Sequence, residues 1–553
     1  MTHRQIMFVL IGLMSGMLLS ALDQSVVGTA MKTIADDLKG LELQAWVTTA
    51  YLITSTVTTP IYGKLGDIFG RRKLFIFAIT VFIVGSLLCG TATDMYSLAA
   101  WRAVQGIGAG GLFTLALTVL ADVVPPRERA RYQGMFLAVF GTSSVLGPIV
   151  GGLFAGADQI LWVSGWRWVF LINLPIGIVA LLMVVSFLHI PHHPVKHRID
   201  WLGAVTIVVA VVPLLLVAEQ GREWGWDSAL SITMYVTGAI GIVSFIFAER
   251  AAGHEALLPL KLFKSSTFTM STILGVIVGV GMFGGMMTLP LMLQIVLGAT
   301  PMESGLMMIP MVAGMMTASI ASGQLTSRTG KYKHWLVLGT GMLTLGYLYF
   351  FTIFNADTPY WQMSIGMVII GLGLGQLMQT LTIASQNAVP AQDMGVATSS
   401  ATFFRQMGGT LGVAVFLSIL FNTVTSTIAD AFKDSKILAG IKEAGVAAAT
   451  GGKLEGDKQA NIDFLSGMQS GDFASFGDKL KTDSSFISQL DPRLARPFVV
   501  GFANASLAVF GSAAIVVLLA FAISWFVKAV PLRAKSAMAE KADAANNAAA
   551  SMH

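Results

Sequence analysis

Two charged residues stand in stretches that are otherwise apolar. Of thirty acidic residues, only Asp23 lies well inside such a run, and Arg102 sits inside another. A charge in hydrocarbon costs several kcal/mol unless it is neutralised or paired, so an acid there marks function by default. Helix rise puts Asp23 about 24 Å and Arg102 about 28 Å from the same membrane surface, at similar depth. Asp23 therefore reads as a group that binds and releases a proton, with Arg102 as its partner; a static bridge is the other reading. Gln24, beside Asp23, is placed to face the same cavity. Arg102, Gln105, Gly106 and Ala109 share one helical face, followed by Gly110 and Gly111, where small residues admit a close neighbour. Arg405 with Gln406 forms a second polar pair in an apolar run, either structural or cavity-lining.

Other chemistries lack residues. The single cysteine, Cys89, permits no intramolecular disulfide and no cysteine metal site. His189, His192, His193 and His197 cluster in a loop that reads as solvated and interfacial, so no metal is expected. Gly371, Gly373 and Gly375 form GLGLG inside an apolar run, where a dinucleotide loop is not formed. No GxxxxGK[ST], HExxH or GxSxG occurs. An enzyme is not expected, nor a cofactor, nor a nucleic-acid partner.

Only 12% of the 553 residues are charged and 54% are apolar, with mean hydropathy +0.72. A soluble protein carries about a quarter charged residues; this composition belongs to a membrane protein. A spanning helix needs about 20 apolar residues, because backbone groups in hydrocarbon must be bonded internally. Spans are expected near 7–31, 46–66, 74–93, 97–121, 132–156, 168–189, 201–218, 231–248, 269–297, 304–324, 335–354, 361–386, 396–422 and 499–527. The first reads as an uncleaved span. Fourteen spans put both termini on one side. With those termini in the cytoplasm, inner segments hold 20 Lys and Arg and the short outer loops only 3, which fixes the expected orientation in the cell membrane.

Residues 63–73, GKLGDIFGRRK, are echoed by 323–333, GQLTSRTGKYK, pairing Gly63 with Gly323 and Gly70 with Gly330. The echo predicts an N-terminal six-helix half over 1–190 and a C-terminal one over 268–528. Two intervening helices fall in 191–267, and a cytoplasmic tail in 529–553. Internal repeats of this kind build many secondary transporters. Span five carries Gly147, Pro148, Gly151 and Gly152, whose proline bends the helix while the glycines flatten one face. Residues 282–316 hold ten methionines, suited to a promiscuous cavity or gate, or equally to filling the core. The outer segment 423–498 is near neutral, with apolar residues at helical spacing, Ile428, Phe432 and Ile437, then Phe473, Phe476 and Leu480. Short amphipathic helices over the external mouth are expected there.

GKLGDIFGRRK resembles the loop between helices 2 and 3 of the major facilitator superfamily. RAVQGIGAG (Arg102–Gly110) resembles its helix-4 motif and GTSSVLGPIVGG its helix-5 antiporter motif. LDQSVVGTA, WVTTAYL and WRWVFLINLPIG are similar to the fourteen-helix drug:proton antiporter branch. The resemblance implies an all-α polytopic fold and a monomeric rocker-switch exporter in the lipid bilayer, driven by a proton gradient. Its substrate would be an amphipathic, cationic drug attracted by Asp23. It implies proton coupling at Asp23 and Arg102. It also implies a gate relay of Asp67, Arg71 and Asp122 at the cytoplasmic side, with Gly63 and Gly70 in the motif. Ser143 and Gly28 depart from the usual pattern, and Ser327 stands where the second loop copy would need an acid. An exporter of an endogenous lipid, siderophore or secondary metabolite is the alternative, and a non-transporting receptor a second one.

Overall fold

The computed structural model describes residues 3–39, 43–188, 199–390, 393–450, 452–469, 485–533 and 540. The histidine cluster and Phe473, Phe476 and Leu480 lie outside the described residues. Fourteen long helices dominate the described residues. The N-terminal group is α1 (His3–Asp37), α2 (Gln44–Phe69), α3 (Arg71–Gly90), α4 (Met95–Val123), α5 (Pro126–Ala155) and α6 (Asn173–Phe187). Then come α7 (Trp201–Trp224) and α8 (Ala229–Ala252). The C-terminal group is α9 (Ser266–Val296), α10 (Ile309–Thr329), α11 (Lys333–Ile353), α12 (Tyr360–Asn387), α13 (Met394–Ala431) and α14 (Pro492–Ser524).

Among the described residues, thirteen helical stretches are long and apolar enough to cross a membrane. The remaining one, α2, has 26 residues and six threonines. Thr54, Thr58 and Thr59 return their hydroxyls to carbonyls four residues back, at 2.7–2.9 Å, so they burden the apolar surroundings with no free donor. Several expected boundaries shift. The sixth span opens with a 3-10 turn at Gly165–Arg167 and a single turn at Trp168–Leu171 before α6. The tenth is broken at Met308, where Pro310 starts α10 after Pro301–Met307. The thirteenth runs to Ala431, and its 38 residues make a rod of about 57 Å, so the outer segment begins as a continuation of α13. Outside the helices, Gln159–Ile160 pairs antiparallel with Val163–Ser164.

Glycines set the closest helix approaches. A Cβ on Gly106 would lie 2.5 Å from the Tyr51 carbonyl oxygen of α2, and one on Gly108 would lie 2.6 Å from the Ala78 oxygen of α3. The helix-4 motif thus lets α4 nest between α2 and α3. The echoed loops share their turn: Gly70 (φ 91°) and Gly330 (φ 70°) both take the backbone region that favours glycine. The pair α7 and α8 sits beside the seam between the groups, with Ile207, Val211 and Leu215 of α7 packed with Ile53 and Val57 of α2 and Phe403 of α13. Ile240, Val243 and Phe247 of α8 stay exposed, as a lipid-facing helix requires.

The outer segment forms helices Ser435–Ala449 and Lys458–Gln469. Phe432, Phe464 and Phe486 each meet Phe498 edge-on near the start of α14. The expected amphipathic helices are present; Ser435–Ala449 packs onto α14, and Lys458–Gln469 reaches it through Phe464. Asp491 pins them: its carboxylate accepts from Arg493 Nε at 2.9 Å and from the Glu455 amide at 3.0 Å. The Arg493 guanidinium is the main reason this carboxyl titrates at about 2. Because that folded-state value is depressed, its contribution is present above the unfolded value of about 4 and is lost as pH falls through 2. Asp491→Asn is expected to speed amide exchange in Lys458–Gln469 about tenfold at neutral pH, from loss of charge-assisted bonds. Hydrogen-exchange mass spectrometry checks this.

Candidate functional site

Asp23 is wholly buried and its carboxylate takes three hydrogen bonds from two helices besides its own. Arg102 Nη1 donates to Oδ2 at 2.6 Å, while Gln105 Nε2 and Asn173 Nδ2 donate to Oδ1 at 2.8 and 2.7 Å. Arg102 Nη1 also donates to Gln105 Oε1 at 2.7 Å, and its guanidinium lies 4.0 Å from the Tyr51 ring centroid. Asn173 Nδ2 reaches Ser86 Oγ at 2.9 Å, tying in α3. Four helices therefore meet at one titratable group. The i, i+3 spacing of Arg102 and Gln105 puts both on the α4 face turned to α1. Asn173 went unnoticed in the sequence, although it is a polar residue in an apolar run like the others. Gln24 is half-buried and takes no part in these hydrogen bonds.

The relay residues also meet. Arg71 binds Asp67 and donates Nε to Asp122 Oδ2 at 3.1 Å and Nη1 to the Gly63 carbonyl at 3.2 Å. Gly70 makes this possible, since it alone separates α2 from α3. The C-terminal group closes over this cluster. A Cβ on Gly395 would lie 2.8 Å from Asp67 Oδ2 and 2.9 Å from Arg71 Cζ, and a Cβ on Gly63 would meet Ser399 Cβ at 2.4 Å. Two more arginines hook across. Arg127 donates Nε and Nη2 to the Ser327 and Arg328 carbonyls at 2.7 Å, and the buried Arg129 binds Gln386. This basic face is closed. The echoed loop supplies only carbonyls, with Ser327 where an acid would be needed for a second relay. Gly395 was beyond sequence reasoning, because its role is a contact between helices more than 300 residues apart.

A small, partly open cavity lies between the groups. Met17, Phe113, Phe136, Phe140 and Met378 supply its apolar wall, and Gln133, Gln379, Thr382 and Arg405 its polar groups. Arg405 and Gln406, adjacent in sequence, part company. Arg405 faces the cavity, while Gln406 accepts from Thr59 of α2 at 3.2 Å, holding the groups together. The methionines of 282–316 do not line it: Met282, Met292, Met308, Met311 and Met315 belong to the buried core. Those five fill the core, while Met302 is exposed. Asp23 itself does not line this cavity. The Asp23 carboxylate is fully buried, saturated by three donors and not among the lining residues, so it presents no open charge there.

In α5, Gly147 and Gly151 do flatten a face: added Cβ atoms would lie 2.5 Å from Ser25 Cβ and 2.7 Å from the Val26 oxygen of α1. Pro148 packs instead against Gly305, and Gly152 faces open space. Gly141, further back, is where Val312 of α10 presses on α5. One helix thus carries a smooth track on each side, one per group.

The Major Facilitator Superfamily profile matches residues 13–413. The chain is 38% identical over 410 residues to Multidrug transporter protein MdtP of Bacillus subtilis (strain 168), covering 74% of each. It is 35% identical over 434 residues to Multidrug resistance protein 3 of the same organism, covering 78% of this chain and 83% of that one. Among solved structures, a double-tryptophan variant of XylE from E. coli aligns with TM-score 0.59 over 97% of this chain and 98% of that one. At 14% identity that is a likeness of fold. A membrane-spanning bundle, the helix-2/3 loop folded around Arg71 and a match spanning both helix groups agree, and the chain belongs to the major facilitator superfamily of membrane transporters.

Proposed function

We propose that this transporter is a proton-coupled exporter of amphipathic drugs or toxic compounds, working by alternating access with its basic face in the cytoplasm. The observation that carries the reading is the Asp23 cluster: one titratable carboxylate, sealed from solvent, joins α1 to α4 and α6. Similarity to two bacterial proteins named for multidrug transport supports the substrate class.

With Asp23 ionised, the Arg102 pair draws α1 to α4. Protonation removes the negative charge and leaves Arg102 to be satisfied by Gln105 and the Tyr51 face. Asn173 Oδ1, which has no hydrogen-bond partner among the described residues, becomes an acceptor for the new O–H once the amide turns. Two hydrogen-bond patterns then favour two helix arrangements, and a proton gradient biases their populations. Met17, a cavity residue, lies six residues before Asp23 on α1, about 9 Å along the helix. A shift of α1 is therefore felt at the substrate. The hooks on the basic face keep the cytoplasmic side shut in this arrangement, and the smooth tracks of α5 let the groups rock without losing contact.

The test is flux in proteoliposomes holding the purified protein, with an imposed pH gradient. Accumulation of an amphipathic dye that follows the gradient and collapses with a protonophore is expected. Flux that ignores the gradient would remove proton coupling from the account, and absence of flux for a broad panel would favour a receptor.

A further inference from the structure

We infer that the cavity takes amphipathic organic anions, a carboxylate or sulfonate on an aromatic or aliphatic body, with Arg405 holding the head group. This rests on the reading of the protein as an exporter and names the substrate class of the same cavity.

Arg405 is the only ionisable residue among those lining the cavity. It is 5% exposed, and no carboxylate lies within ion-pair distance of it among the described residues. Its contacts among the described residues are weak for a group with five N–H donors: the Thr382 hydroxyl at 3.5 Å and the Phe113 ring centroid at 5.9 Å. The contrast with the other buried arginines is direct. Arg102 has Asp23, Arg71 has Asp67 and Asp122, and Arg129 has the Ala121 and Val124 carbonyls at 2.8 and 3.0 Å together with Gln386. A buried guanidinium without such partners is costly, and a planar anion that takes two N–H bonds offsets that cost best.

Gln133 is the second observation. It is 3% exposed, lines the same cavity, and neither its Nε2 nor its Oε1 has a partner among the described residues. Gln379, by contrast, is spent on Ser319 and Ser322, with Nε2 donating to Ser322 Oγ at 2.6 Å. Gln133 Nε2 is thus a donor without a partner among the described residues, in the same cavity as the weakly held Arg405. The two come from opposite groups, α5 and α13, so an anion bound by both bridges the moving parts. Phe113, Phe136 and Phe140 then cover the apolar body. A cationic head group would meet like charge and no carboxylate in this cavity.

The experiment uses the full-length protein in detergent and three matched probes: a naphthyl carboxylate, its methyl ester and the corresponding naphthyl ammonium. Binding is read by intrinsic tryptophan fluorescence and by competition against transported dye. The carboxylate is expected to bind about tenfold more tightly than the ester, about 1.4 kcal/mol, and more tightly than the ammonium. Arg405→Gln should abolish that preference while ester binding persists, which reports an intact cavity; Arg405→Lys should keep part of it. Gln133→Leu should weaken the carboxylate alone by a few-fold. Equal affinity for the three probes in the native protein, or an unchanged preference in Arg405→Gln, overturns the inference. Gradient-driven dye flux, measured after the same protein is reconstituted into proteoliposomes, stands or falls separately, so failure of the anion preference is distinguished from failure of the exporter reading.

Discussion

Asp23→Asn is expected to abolish uphill transport while leaving exchange of substrate across the membrane in place. The amide keeps the shape, but its single oxygen can accept at only one of the two positions where Arg102 and Gln105 donate, and it cannot take up or release the proton. In proteoliposomes with an imposed pH gradient, accumulation should fall to the level of empty vesicles. Counterflow driven by a substrate gradient alone should continue within a few-fold of the native rate. The variant also leaves Arg102 without its counter-charge, and breaking a buried pair in this way costs about 3–5 kcal/mol. A lower thermal midpoint is therefore expected, and the counterflow measurement separates that loss from loss of coupling. Retained gradient-driven accumulation would remove Asp23 from the coupling path. Asn173→Ala offers a graded comparison, since it deletes one of the three donors and the unpartnered carbonyl but keeps the titratable group.

Gly395→Val should hold the basic face ajar. An added Cβ alone already intrudes on Arg71 Cζ and Asp67 Oδ2, at 2.9 and 2.8 Å. The guanidinium cannot swing aside without leaving Asp122 and the Gly63 carbonyl. Either α13 backs away or the relay breaks. A disrupted buried ion-pair network of this size costs about 3–5 kcal/mol. Since each 1.4 kcal/mol is tenfold in population, the closed arrangement should lose more than a hundredfold of its advantage. The measurement is labelling of a cysteine placed at Ser399 by a membrane-impermeant thiol reagent applied to the basic face. Cys89 is fully buried, so the native background is low. Faster labelling with transport reduced tenfold or more is expected, and unchanged labelling would show that this contact does not latch the face. Arg71→Ala, which removes the relay from within, should move the labelling in the same direction.

The spans, their number and the basic asymmetry of their loops were legible in the sequence, because hydrocarbon leaves the backbone no option but internal hydrogen bonding over about 20 residues. Asp23 and Arg102 were legible for a related reason, since a charge in an apolar run has few acceptable fates. The relay residues around Gly70 came from resemblance to a known loop. Helix boundaries were less readable: the extension of α13 to Ala431 carries polar residues that hydropathy assigns to a loop, and it is held along α14, where Ile428 and Thr427 meet Gly501.

What the tertiary structure alone decided is which face of each helix turns inward. In a soluble helix the polar side points to water, but here lipid and protein core are both apolar, so sequence periodicity carries little of that information. Arg405 and Gln406 were one undivided pair until the fold turned the first to the cavity and the second to Thr59. Of the ten methionines of 282–316, packing assigned Met282, Met292, Met308, Met311 and Met315 to the core. Asn173 joined Asp23 from 150 residues away, and Gly395 reached Arg71 from more than 300. Such contacts depend on helix rotation and on the meeting of two helix groups. The sequence by itself determined that this chain crosses the membrane and which charges it hides; the fold determined that Asp23 is sealed among donors while Arg405 is left facing the cavity.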